Sequence, residues 1–82
     1  MGYHKKAITK GRIGEISKIE EELEELKDAV EQNAKIMELV EISDLILAIE
    51  LYLNRYHPST SLGDVLKMKE LTKGAFKDGS RR

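Results

Sequence analysis

The chain has 82 residues, 40% of them hydrophobic and 35% charged, with one proline, no cysteine and a net charge of −1. That balance excludes collagen-like, proline-rich and plainly disordered classes, and the lack of cysteine excludes a disulfide framework or a thiolate zinc site. A chain this short makes one domain over residues 1–82 and seldom buries a large core alone, so association with a second copy is expected.

Residues 1–12 read as a basic lead-in without the apolar segment that a signal peptide needs. The longest apolar run, residues 45–49, is far too short to span a bilayer. The expectation is therefore a cytoplasmic protein with no membrane partner. A first helix is predicted over 13–32, where Ile16, Ile19, Leu23, Leu26 and Val30 recur three or four apart along one face. Asn33 breaks it. A second helix is predicted over 34–56, and its apolar residues, from Ile36 and Met37 to Leu51 and Leu53, occupy nearly the whole circumference. That places it at the centre of an assembly. Pro58 stops it, because the residue before a proline is driven out of the helical region.

Residues 59–61 open a third helix, with Ser61 and Asp64 spaced as a capping box. Val65, Leu66, Met68 and Leu71 supply its apolar side, with Thr72 and Phe76 expected to pack it. It is expected to fray between Gly74 and Gly79, leaving residues 78–82 as a tail. The fold class is all-α: a helical hairpin plus a third helix, pairing with another copy into a four-helix-bundle core.

Charge is segregated along these elements. Residues 15–50 carry 12 acids against three bases, a net −9, and the two flanks together carry +8. An acidic centre with basic ends suits a site that gathers cations and a polyanion, and equally a helical bundle whose ends neutralise its middle. It argues against nucleic acid, whose phosphate backbone the centre would repel.

Within the first helix, Glu21-Glu22-Leu23-Glu24-Glu25 sets carboxylates three and four apart on one side, and Glu22 flanks the apolar stripe. An acidic run of this kind is more often a solvated face. Glu41 and Asp44 are more informative, being three apart in the most apolar helix. Buried ionised carboxylates demand a lysine or arginine, a shared proton or a metal ion. The helix offers only Lys35 at its start and Arg55 roughly 16 Å beyond Asp44. A metal is the economical answer. All-carboxylate ligands with no histidine nearby suit a hard cation such as Mg²⁺ or Mn²⁺, and the Glu-x-x-His element of di-iron bundles is missing.

The two motifs, EExxE at residues 21–25 and ExxD at residues 41–44, are separated by 15 residues. In this the sequence resembles the MazG-like superfamily of all-α nucleoside triphosphate pyrophosphohydrolases, which includes phosphoribosyl-ATP pyrophosphohydrolases and all-α dCTP and dUTP pyrophosphatases. Its brevity is closest to the short members encoded by phages. The resemblance covers residues 15–56 and implies hydrolysis of a nucleoside triphosphate to monophosphate and pyrophosphate by a homodimer or homotetramer. It implies Mg²⁺ on Glu22, Glu25, Glu41 and Asp44, with Glu21 orienting or deprotonating the attacking water. Arg55, Lys67, Lys69 and Lys73 are candidates for the triphosphate. Tyr56, with Tyr52 and His57, is a candidate to stack on the base. The competing reading is a non-enzymatic helical module that binds a protein partner or sequesters nucleotide.

Overall fold

The computed structural model describes residues 7–77, which form three helices and no strand: α1 (Ile16–Glu31), α2 (Lys35–Tyr56) and α3 (Leu62–Lys77). The expected tail, residues 78–82, and the first six residues of the basic lead-in lie outside the described residues.

α1 starts three residues later than the periodicity predicts. Gly14 sits at φ 85°, a backbone region that a side chain at this position would strain, and Arg55 packs 3.3 Å from where a Cβ would lie. The chain therefore turns at residues 13–14 before Glu15 enters the helix. At the other end Asn33 adopts φ 56°, and the Ala34 N–H closes the turn on the Ala29 carbonyl at 3.0 Å. This is the break read from the sequence. The predicted capping box is also present: the Asp64 N–H donates to Ser61 Oγ at 3.1 Å, and the Ser61 N–H to Asp64 Oδ2 at 2.9 Å. α3 continues through Gly74 to Lys77.

α1 and α2 pack against each other and run antiparallel. Glu15, at the start of α1, accepts a hydrogen bond from the Tyr56 hydroxyl (2.7 Å) and pairs with Arg55 (3.1 Å), both at the end of α2. What lies between the helices is unusual. Among the described residues the buried apolar side chains are Ala29 and Ala48, and the remaining buried side chains are the acids Glu21, Glu22, Asp28 and Glu41.

Many of the large apolar residues face outward, and the others are half-buried. Ile36 is 77% exposed, and Leu39, Val40, Ile42, Ile46 and Leu47 are exposed with it. A single neighbouring helix covers one side of α2, whereas its apolar residues occupy every side, so the central position expected for α2 is not reached within one chain. α3 buries none of its residues: Leu66, Met68 and Phe76 are exposed, and Leu71 is 79% exposed. The expectation that Thr72 and Phe76 pack this helix is corrected for Phe76, because α3 does not lie along the hairpin. Among the described residues no helix is long and apolar enough to cross a membrane.

Candidate functional site

The helix geometry brings the two acidic motifs to one place. Glu22 of α1 and Glu41 and Asp44 of α2 each offer a carboxylate oxygen within 4.8 Å of the others. A second trio, Glu21, Glu22 and Glu25, meets the same distance limit on α1. Glu22 belongs to both and joins them into one cluster of five acids.

Burial differs sharply across it. Glu41 is 0% exposed and Glu22 6%, whereas Asp44, expected to be buried, is open to solvent. The correction has a simple cause. Three residues advance a helix by about 300°, so Asp44 turns towards the edge of the α1–α2 seam while Glu41 stays inside it. Burial and the neighbouring Asp44 push Glu41 above the ordinary carboxylate value. Glu22 keeps one oxygen, Oε1, buried with no hydrogen-bond partner, while Oε2 accepts the Lys18 ammonium at 3.0 Å.

Glu21 has a different environment. Burial alone would raise its pKa, but it is outweighed by the Gly11 N–H donating to Oε1 at 2.8 Å, by Lys18 at 3.1 Å and by a hydrogen bond shared with the Glu25 carboxyl. Lys10 adds an ion pair at 3.7 Å. The group is held down at about 2. A carboxylate so acidic and so fully engaged is a weak base for the water-activating role expected of it.

Gly11 makes this contact possible. A Cβ at this position would lie 2.2 Å from the Ser17 carbonyl oxygen, so only glycine lets the chain cross α1 that closely. The Arg12 N–H to Ser17 Oγ bond (3.0 Å) fixes the same crossing. Residues 10–14 thereby form a strap over the first turns of α1.

Beside the cluster lies a cleft of about 230 Å³, lined by Lys18 and Glu22 of α1, by Asp44, Leu47, Ala48 and Leu51 of α2, and by Ile13. None of the expected substrate-binding residues lines it. Arg55 and Tyr56 lie at the C-terminal end of α2, beyond Leu51, engaged with Glu15 and outside the cleft lining. Lys67, Lys69 and Lys73 are exposed on α3, where Lys69 pairs with Glu70 at 2.7 Å. Lys18, Gly11 and Ile13 were not singled out from the sequence. The i, i+3 and i, i+4 spacing of Lys18 to Glu21 and Glu22 was the available signal for the first of them.

An all-oxygen donor set that includes a buried carboxylate oxygen without a hydrogen bond fits a hard divalent cation such as Mg²⁺ or Mn²⁺. Comparison with known proteins identifies no relative: no family model, no curated protein and no solved structure matches the chain.

Proposed function

We propose that the chain is a metal-dependent nucleoside triphosphate pyrophosphohydrolase similar to the MazG-like enzymes, converting a nucleoside triphosphate and water to the monophosphate and pyrophosphate. One observation carries this reading: Glu22, Glu41 and Asp44, from two motifs 15 residues apart, converge within 4.8 Å across the helix pair. A purely solvated acidic face has no reason to turn Glu22 and Glu41 inward. Lys18 compensates one oxygen of Glu22, and burying Glu41 beside Asp44 costs stability unless a proton or a metal ion compensates.

In this reading Glu22, Glu41 and Asp44 hold Mg²⁺ (or Mn²⁺), with Glu25 joining from the α1 side. The bound ion supplies neutralisation of phosphate charge and a more acidic water. The protein's own part is positional. The rigid helix pair fixes the carboxylates, and the adjoining apolar wall of Ile13, Leu47 and Leu51 excludes water and receives the less polar part of the nucleotide. Hydrolysis of a phosphoanhydride needs placement and charge neutralisation more than covalent catalysis, so such a site suffices.

The same reading includes a homo-oligomer. The exposed face of α2 is supported by its composition as the surface on which a second hairpin pairs into a four-helix core. Leu39→Glu on that face is expected to shift the protein towards monomer in sedimentation velocity. An unchanged sedimentation coefficient would place any oligomer contact elsewhere.

The primary test is pyrophosphate release from a panel of ribo- and deoxyribonucleoside triphosphates, with phosphoribosyl-ATP included and Mg²⁺ present, beside the Glu41→Gln variant. Release by the wild type and its loss in the variant is the expected result. No release from any nucleotide by folded protein would overturn the reading in favour of a helical interaction module.

A further inference from the structure

Among the described residues, the sequence-expected phosphate contacts Arg55, Lys67, Lys69 and Lys73 do not line the cleft beside the carboxylate cluster; Lys18 does. Its ammonium bonds Glu22 Oε2 at 3.0 Å and Glu21 Oε1 at 3.1 Å, and its side chain is three-quarters buried. Glu22 is one of the three carboxylates that converge from the two helices, and its second oxygen is buried without a hydrogen bond. Lys18 therefore occupies the one side of Glu22 already satisfied, at the point where the acids meet the open cleft.

We propose that Lys18 is the phosphate-binding cation of this site, held in reserve on Glu22 until a divalent cation takes that carboxylate. This rests on the metal-dependent reading above and names a residue that the two acidic motifs do not contain.

The electrostatics give the order of events. In the metal-free protein Lys18 neutralises part of a five-acid cluster through its ion pairs with Glu21 and Glu22. A divalent cation ligated by Glu22 repels an ammonium only a few ångströms away, so the Lys18–Glu22 pair loosens. Glu21 stays behind. Its carboxylate, anchored by the Gly11 N–H at 2.8 Å, tethers Lys18 at the mouth of the cleft and is a positioning residue. The freed ammonium faces the space that a polyphosphate would enter, and a charge-assisted hydrogen bond to a phosphate oxygen replaces the one lost to Glu22. Metal and polyphosphate then favour each other's binding, because each removes a cost from the other.

Two affinities of opposite sign test this. Lys18→Met removes the competing ammonium, so Mn²⁺ alone, measured by calorimetry, is expected to bind about tenfold more tightly. Inorganic tripolyphosphate in the presence of Mg²⁺ is expected to bind about tenfold more weakly to the same variant. Lys18→Arg should behave as the wild type in both. A merely structural lysine would weaken both affinities together, and that result overturns the proposal. So does an unchanged affinity for either probe.

If Lys18→Met does not fold, the wild type still decides. Titration with Mg²⁺ is expected to move the Lys18 Cε resonance together with the carboxylate signals of Glu22, Glu41 and Asp44. Movement of the carboxylates with Lys18 left in place overturns this inference and leaves the metal site standing. No binding of Mn²⁺ or Mg²⁺ to the wild type overturns the metal-dependent reading, and this inference with it.

Discussion

Glu21 and Glu41 lie in the same cluster on facing helices, 4% and 0% exposed, yet their surroundings drive them in opposite directions. Glu21 receives an N–H from the strap at Gly11 and an ammonium from Lys18, which hold it at about 2 despite burial. Glu41 meets burial and the carboxylate of Asp44, which push it up. Equal burial thus leaves one acid ionised among the protein's own donors and the other, beside a second carboxylate, favouring a proton or a cation. Burial alone does not identify a ligand-binding acid; the character of what surrounds it does.

The largest expected effect comes from removing the member whose burial and neighbouring carboxylate raise its pKa. Glu41→Gln should abolish pyrophosphate release, a loss on the order of a thousandfold if a metal's several kcal/mol of transition-state stabilisation goes with it. Its melting temperature without metal should not fall, because the buried charge it removes was opposed by Asp44. A marked loss of metal-free stability would break the contrast, showing that ionised Glu41 is already compensated. The converse change is Glu21→Gln, which removes the negative charge that Lys18 and Lys10 pair with and turns one of the two acceptor oxygens into a donor. Losing charge-assisted hydrogen bonds in a domain of this size should lower the melting temperature by about 10 °C, read by circular dichroism.

The same contrast sets the pH dependence of stability. Glu21 falls from an ordinary value of 4.5 to about 2 on folding. Its contribution is therefore complete above 4.5 and is lost as pH drops from 4.5 towards 2. Glu41 has the opposite sign. Its folded pKa lies above 4.5, so the stability that its proton gives is complete below 4.5 and lost as pH rises through the raised value. Melting curves without metal should decline at both ends of this range. Added Mg²⁺ should remove the decline on the alkaline side and leave the acidic side in place. If Mg²⁺ leaves both limbs unchanged, Glu41 is no part of a metal site.

Much of this was legible in the sequence because it depends on spacing. Apolar residues three and four apart gave the helices, Asn33 gave the break, and Ser61 with Asp64 gave the cap. The inward position of Glu22 followed from the helical wheel. Other features depend on what a helix meets, which spacing does not encode. The exposure of Asp44 reflects where the edge of the α1–α2 seam falls, and the outward apolar face of α2 reflects how few partners one chain supplies. The strap was hidden for another reason. Gly11 acts through its backbone N–H and its lack of a side chain, and neither has a periodic signature.

The smallest effect should come from a third glutamate and its partners, at the far end of the hairpin. Glu15 is joined by Tyr56 at 2.7 Å and Arg55 at 3.1 Å, as Glu21 is joined by Gly11 and Lys18, but Arg55 and Tyr56 are exposed and water can replace either of them. An exposed pair of this kind adds little to stability. Tyr56 was expected to stack on the base, and in that role Tyr56→Phe would keep the ring and change KM little, so the decisive substitution is Tyr56→Ala. If the cleft beside Asp44 receives the nucleotide, Tyr56→Ala should leave KM within about twofold of the wild type, the range of an uninvolved surface change. A KM raised tenfold or more would move the base to the Tyr52–Tyr56 end of α2. The nucleotide would then have to extend past Leu51 to the end of α2, about 18 Å from Asp44, or approach from a second copy, and the carboxylate cluster would keep its place as the site of chemistry.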